Sequence, residues 1–294
     1  MGRHAYLILA HKNPGQVQKL IDLLDDSRND IFLHVDRKAK DFSGREFSTK
    51  RAGLFPLDNT IRVNWGGLSL MKAELRLLQA ATEQGHYDYY HLISGQDLPI
   101  KSQNEIHNFF DLHYGREFLN LWKMDESAME RTELVTLFPE GERRFYIHAV
   151  NSLYKKLQRA LGIRRKHGLI FKFGSNWFSI TDNLARYTLA QADILNRMYR
   201  HTNNCDELFL STLVWYSPFR DNLFDPGEAS PKDKNLSFMR YIDWDREGLH
   251  RHPWTFRADD YETLMAVPHL FARKFDENVD GEIIDMIYNK LKQS

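Results

Sequence analysis

Three times in the first hundred residues an apolar run stops abruptly at polar, chemically capable side chains. Tyr6-Leu7-Ile8-Leu9-Ala10 leads into His11-Lys12-Asn13, Ile31-Phe32-Leu33 into His34-Val35-Asp36-Arg37-Lys38, and Tyr89-Tyr90-His91-Leu92-Ile93 into Ser94-Gly95-Gln96-Asp97. Short apolar runs separated by helical patterns read as parallel strands buried on both faces and joined by crossover helices. Open sheets of that kind bind ligands just beyond the carboxyl ends of their strands, so the pattern puts all three polar tips on one rim and the active site at that rim.

Further along, Asn13-Pro14-Gly15 makes a turn, after which Val17, Leu20, Ile21, Leu23 and Leu24 recur at helical spacing. Residues 37–59 are polar and irregular. Ile61-Arg62-Val63 reads as a brief strand ahead of Asn64-Trp65-Gly66-Gly67, and Ser69 as the N-cap of a helix that buries Met71, Leu75, Leu77, Leu78 and Ala81. From 103 to 170 aromatics and charges mix with weak periodicity and no element stands out. Leu169 to Phe173 and Trp177 to Thr181 then read as strands, and about Asp182 to Tyr199 as one helix. Another helical pattern begins near Cys205-Asp206-Glu207 and carries Leu208, Phe209, Leu213 and Val214. Lys234 to Ile242 reads as a last strand and about Gly281 to Leu291 as a terminal helix. No repeat or strong linker interrupts the chain, so residues 1–294 are expected to form a single α/β domain, with a mostly parallel central sheet flanked by helices.

Composition narrows the class. Lys plus Arg and Asp plus Glu both number 40, which leaves no global field to attract nucleic acid; any anion site must be local. The single cysteine, Cys205, excludes an intramolecular disulfide framework, and no stretch approaches the ~20 apolar residues that span a bilayer. The N-terminus carries no secretory signal pattern, and the expectation is a soluble protein of the reducing cytoplasm.

Several residues are candidates for chemistry, each with a plainer alternative. Asp206-Glu207 opens an apolar helical pattern, where the helix N-terminus favours an anion suited to a general base; helix capping is the simpler role. Arg240 and Lys274 are cations flanked by large apolar residues, suited to a phosphate near low-dielectric walls or merely snorkelling at an edge. Asp36 and Arg37 stand at a strand end, where a carboxylate can receive a ribose or base, or simply close a solvated turn. Asn64-Trp65-Gly66-Gly67 permits close backbone approach to a ligand. Neither the phosphate-loop nor the dinucleotide glycine signature occurs, and HExxH is absent. Asp243-Trp244-Asp245 is a weak acid-x-acid match for a divalent cation. The basic run Lys155–His167, with Leu157, Leu161 and Ile163 interspersed, suits either a solvated helix face or an anionic surface.

Taken in order, the chain resembles the branching glycosyltransferases of family 14, which include core-2/I-branching β-1,6-N-acetylglucosaminyltransferases and peptide xylosyltransferases. The resemblance rests on Ala5-Tyr6-Leu7-Ile8 through His11-Lys12, on Phe32 through Lys38, and on Tyr90-His91-Leu92-Ile93-Ser94-Gly95-Gln96-Asp97-Leu98-Pro99-Ile100-Lys101. It continues with Gly174-Ser175-Asn176-Trp177-Phe178, Asp206-Glu207 and His269-Leu270-Phe271-Ala272-Arg273-Lys274-Phe275-Asp276. It implies a GT-A type nucleotide-sugar fold and an inverting reaction from a UDP-sugar to a saccharide or glycan hydroxyl, forming a β-linkage. By the same resemblance Glu207 is the catalytic base, Arg240 and Lys274 hold the donor diphosphate without a metal, and His11, Asp36 and Arg37 lie on the uridine side. Asp97, Trp177 and Asp206 belong to the cleft. N-acetylglucosamine is the expected sugar, with UDP-xylose the alternative and a non-catalytic UDP-sugar or carbohydrate-binding module the reading of a different class. No cofactor beyond the donor is expected. Acceptor contacts are expected within 103–170, with a lipid-linked acceptor and peripheral membrane contact as the partners that the Lys155–His167 run suggests.

Overall fold

The computed structural model of the chain describes all residues except 1, 41, 123, 125, 142–143, 227, 230–235, 247–251 and 294. Its elements run β1 (His4–Ala10), α1 (Pro14–Leu24), β2 (Asn29–Val35), β3 (Gly53–Pro56), α2 (Leu68–Gln84), β4 (Tyr89–Ser94), β5 (Asp97–Pro99), α3 (Gln103–Leu112), β6 (Leu121–Trp122), α4 (Glu126–Glu133) and α5 (Phe145–Ala160). There follow β7 (Ser179–Thr181), α6 (Asp182–Ala190), α7 (Ala192–Tyr199), α8 (Phe209–Trp215), β8 (Glu228–Ala229), β9 (Arg240–Ile242), α9 (Tyr261–Ala266), β10 (Phe271–Arg273) and α10 (Glu282–Lys292).

Alternation within β1 decides how the layers stack. Ala5, Leu7 and Leu9 face one core, shared with Met71, Leu75 and Leu78 of α2, while Tyr6, Ile8 and Ala10 face the other, shared with Val17, Leu20 and Ile21 of α1 and Ile283, Ile284 and Ile287 of α10. Side chains alternate with a period of two, so a slip of one residue would exchange both sets. Full burial of each large aliphatic side chain contributes about 1.5–3 kcal/mol, which fixes the register. The central sheet has the order β3-β2-β1-β4-β7, parallel throughout except for antiparallel β7 at its edge. This is the mostly parallel, helix-flanked sheet expected. Ala10 pairs with Val35 and Leu9 with Ser94, so β1, β2 and β4 end nearly flush.

A second sheet, β5-β10-β9, stands at that end. It is reached from β4 through Gly95-Gln96 alone, and its antiparallel register sets Arg273 opposite Asp97.

Five local expectations are corrected. Ile61-Arg62-Val63 is not a strand; β3 takes the sheet edge instead, and the 61–63 segment lies across the end of β2, with Ile61 N donating to His34 Nε2 at 2.8 Å and Val63 N to Asp36 Oδ1 at 3.3 Å. Ser69 is not the N-cap of α2, a place taken by Gly67; Ser69 N and Oγ instead bind Glu140 at 2.7 and 2.8 Å. Leu169 to Phe173 forms only an isolated bridge, Phe173 with Trp122. The 182–199 helix is two helices meeting at Gln191. Of the expected last strand, 234–235 lie outside the described residues and only β9 forms.

Candidate active site

The flush strand ends bring His11, Asp36 and the Gly95–Asp97 turn side by side. Asp36 N donates to Ala10 O at 2.8 Å and Gly95 N to Leu9 O at 2.9 Å, which ties both tips to the end of β1. The Asp36 carboxylate accepts from Lys38 N at 2.8 Å and lies 3.7 Å from Lys38 Nζ; Arg37 beside it is exposed. A pocket of about 380 Å³ opens here, lined by Val35, Asp36, Arg37, Ala39, Phe42 and Ser43 among others.

The segment after β10 closes the other side. Lys12 Nζ and Asn13 Nδ2 reach the Asp276 carboxylate at 2.5 and 2.8 Å; burial opposes ionisation there, but these bonds hold Asp276 down to about 2. Gln16 Nε2 donates to both Gly95 O and Phe275 O, at 2.8 and 3.2 Å, stitching α1, the β4 turn and the 273–276 segment together. Arg273 donates to Ser94 Oγ at 2.6 Å and Asp97 Oδ1 at 3.0 Å, and its guanidinium lies 4.5 Å from the centre of the Trp177 ring. Desolvation and the charges of Lys12, Arg273 and Lys274 lower the pKa of His11, against the opposing charge of Asp36. The rim thus carries a local excess of positive charge on a chain with none overall, and a neutral imidazole beside it.

The carboxylate pair sits in a 3-10 turn, Cys205–Glu207, immediately before α8. Asn204, in the left-handed region at φ 49°, starts the turn, and its N donates to Gly66 O at 2.9 Å, so the Asn64–Gly67 loop meets the pair directly. Asp206 points inward: it is buried, its Oδ1 has no hydrogen-bond partner, and burial together with the neighbouring Glu207 charge pushes its pKa up to about 7. Glu207 points outward, where Arg131 Nη1 of α4 donates to Oε2 at 2.6 Å. Burial raises the Glu207 pKa and Arg131 opposes that rise. Behind the pair lies Glu74 of α2, fully buried, raised well above the usual carboxylate range by burial and by Asp206.

One short segment joins the two halves of the cleft. Gly174 N donates to Glu207 O at 2.8 Å, and a Cβ at Gly174 would stand 2.3 Å from Asn120 O, a contact that only glycine avoids. Trp177, under Arg273, follows three residues later; three residues span at most about 11 Å. The carboxylate pair and the basic rim are therefore linked through this one short segment, and together they make up the candidate cleft.

Arg240 is not brought to this cleft. It is 3 % exposed, and its guanidinium donates to Phe178 O at 2.6 Å, Leu92 O at 3.3 Å and Ser179 Oγ at 3.1 Å, inside the seam between β4 and β7. Burial lowers its pKa to about 9. The apolar flanks that suggested a phosphate site instead line an internal one. Asp243 is likewise engaged, by Arg246 Nε at 2.8 Å. No group of three or more metal-ligating side chains gathers among the described residues. Sequence reasoning missed Arg273, whose signal was its place next to Lys274 in the last matching segment, and Arg131, which lies in the unpatterned 103–170 stretch.

Comparison with known proteins gives this cleft a context. The chain is 23 % identical over 306 residues to Xylosyltransferase 2 of Canis lupus familiaris and, to the same degree, to that of Homo sapiens; each alignment covers 97 % of this chain and 33 % of the relative. Xylosyltransferase 1 of Canis lupus familiaris is 22 % identical, over 97 % of this chain and 30 % of its own length. The chain spans about a third of the curated relatives it matches. A family model described as Core-2/I-Branching enzyme matches residues 4–265, most of the chain and every part of the cleft except the 273–276 segment. The chain belongs to the Core-2/I-Branching enzyme family.

Proposed function

We propose that this chain is an inverting glycosyltransferase that moves a sugar from a UDP-sugar to a saccharide hydroxyl. In the reaction, Glu207 accepts the proton of the acceptor hydroxyl as its oxygen bonds to the anomeric carbon. The bond from that carbon to the diphosphate breaks on the opposite face, and UDP leaves with the electron pair. Arg273 and Lys274 receive the charge that grows on the diphosphate, so the reaction needs no divalent metal; losing one such electrostatic partner costs about 3 kcal/mol of barrier. Arg273 replaces Arg240 in this role because Arg240 is committed to internal carbonyls. Asp36, Arg37 and His11 take the uridine side, in and beside the pocket at the ends of β2 and β3.

The observation that carries this reading is the outward carboxylate of Glu207, paired with Arg131, on a residue whose backbone carbonyl is held by Gly174 of the segment that leads within three residues to Trp177 and the Arg273 cation. For the donor, the xylose alternative now stands ahead of N-acetylglucosamine, since the relatives named above are xylosyltransferases. A glycan acceptor, lipid-linked, and a cytoplasmic location belong to the same proposal.

The test is turnover of UDP-xylose, UDP-N-acetylglucosamine, UDP-galactose and UDP-glucose in EDTA, with Glu207→Gln beside the parent chain. Selective release of UDP from one donor, reduced about 10²–10⁴-fold in the variant while UDP binding persists, is the expected result. Binding without turnover in the parent chain would leave a non-catalytic module, and unchanged turnover in the variant would remove Glu207 from the role of base.

A further inference from the structure

Helix α5 is built inside out. The fully buried residues on its inward face are polar, beside a half-buried Ile147 and Tyr154: Asn151 and Gln158 are buried, and each grips one backbone unit of the facing segment. Asn151 donates to Phe138 O at 2.9 Å and accepts from Phe138 N at 3.1 Å; Gln158 donates to Val135 O at 2.9 Å and accepts from Val135 N at 2.9 Å. The two side chains lie seven residues apart, two turns of one face. The opposite face carries Phe145, Tyr146, Val150, Leu153, Leu157 and, just past the helix, Leu161, all turned to solvent, with Phe145 86 %, Leu153 71 % and Leu161 63 % exposed. Four internal bonds hold the helix in this orientation, so its apolar stripe cannot roll inward without breaking them. An apolar patch of this kind is a contact surface in a soluble chain.

The charge around the stripe identifies what it meets. No Asp or Glu occurs between Arg144 and Thr181, whereas Arg144, Lys155, Lys156, Arg159, Arg164 and Lys166 all do. Among the described residues, the acids paired with this face come from α4, where Glu130 binds Arg159 at 2.7 Å and Glu133 lies 3.4 Å from Arg164. A second copy docked on the stripe about a two-fold axis would set these basic flanks against each other. A convex apolar stripe between cations is instead the pattern of a helix lying in the headgroup region of an anionic bilayer.

We propose that α5 and the basic arm after it dock this chain peripherally on an anionic phospholipid surface, with the Phe145–Leu161 stripe entering the interface. The position has a consequence for the acceptor, and this part alone rests on the transferase reading. Helix α4 carries Arg131 on Glu207 and, on its other side, Glu130 and Glu133 against the basic arm. The candidate base therefore stands one short helix from the lipid face, where a lipid-linked saccharide would present its hydroxyl.

The experiment is co-flotation of the full chain with vesicles of phosphatidylcholine alone and of phosphatidylcholine with phosphatidylglycerol, at low and high salt, with UDP binding measured in parallel. The parent chain should float with the anionic vesicles only, and less at high salt. Leu153→Glu with Leu157→Glu should lower that partition at least about tenfold, because both positions lose apolar area and gain repulsion, with folding and UDP affinity unchanged. Arg164→Glu with Lys166→Glu should act in the same direction. Absence of flotation, equal flotation with both vesicle types, or variants that float like the parent would overturn the proposal, as would a dimer in sedimentation velocity that the leucine substitutions dissolve. Flotation without UDP binding would leave the lipid contact standing and remove only the transferase reading.

Discussion

At the scale of single residues the cleft is a problem of which carboxyl keeps its charge. Asp206 and Glu207 are adjacent, and Glu74 lies behind them; three anions in one low-dielectric place repel strongly. Burial favours the neutral form at Glu74 and Asp206, while Arg131 favours the anion at Glu207, so the negative charge settles on the carboxylate that faces the cleft. The pair titrates as a unit, and the acid limb of activity belongs to the pair rather than to one residue. Removing the cation while keeping the bulk, as in Arg131→Met, favours protonation of Glu207. The sign follows: the activity lost on acidification is lost at higher pH than in the parent chain, by on the order of one pH unit. A pH profile of kcat/KM for UDP-sugar turnover reads this shift, and an unmoved acid limb would deny Arg131 its electrostatic role.

At the scale of elements, α5 with its exposed apolar stripe separates what was legible in the sequence from what was not. The parallel strands were legible because Ala5, Leu7 and Leu9 must go one way and Tyr6, Ile8 and Ala10 the other, and because each run stopped at a polar tip. The 103–170 stretch was read less well: its main helix does carry Tyr146, Val150, Leu153 and Leu157 at helical spacing, but that stripe faces solvent while amides are buried, so the rule that the apolar stripe marks the core picks the wrong face. Arg240 was misjudged for a related reason: apolar neighbours accompany an arginine that snorkels outward and one sealed inward alike, and only the carbonyls of Leu92 and Phe178 tell them apart. Asp206-Glu207 was readable as a pair, but nothing local announced which carboxyl would face out. The inversion of α5 makes an unusual prediction. Gln158→Leu, which adds apolar bulk to a buried helical position, leaves Val135 N–H and C=O without partners and should destabilise the chain by on the order of 2 kcal/mol. Leu153→Ala, on the exposed stripe, should stay within about 0.5 kcal/mol. Urea denaturation of both variants decides it; the ordinary ranking, with the leucine mattering more, would mean that α5 packs the other way round.

At the scale of the whole molecule, stability rests on buried ionisable groups pulling in opposite directions with pH. A line of imidazoles crosses the interior beneath the sheet: Ser179 Oγ to His91 Nδ1 at 2.7 Å, His91 Nε2 to His4 Nδ1 at 3.1 Å, and His4 stacked on His107 at 3.9 Å, with Arg240 joined to the same Ser179. Burial holds His4 and His91 well below their ordinary value and brings His107 to about 4. Their contribution is complete above the unfolded value near 6.5 and is lost as pH falls from there toward about 4. Glu117 works the other way. Burial pushes it up to about 7, against the bonds from Thr181 N and Oγ at 2.9 and 2.6 Å, so its contribution is complete below the ordinary carboxylate range and is lost as pH rises to about 7. Between about pH 4.5 and 6.5 the two sets oppose each other and flatten the stability curve. Glu117→Gln removes one side of the balance: the amide keeps an acceptor for Thr181 N but binds no proton. Relative to the parent chain the variant should gain stability as pH rises from 5 to 7, by as much as about 1.4 kcal/mol per pH unit, and then run parallel to it above pH 8. Denaturant unfolding of both chains at pH 5, 6, 7 and 8 measures the difference directly. A difference that does not change with pH would mean that Glu117 is ionised in the folded chain, its charge sustained by the two Thr181 bonds alone.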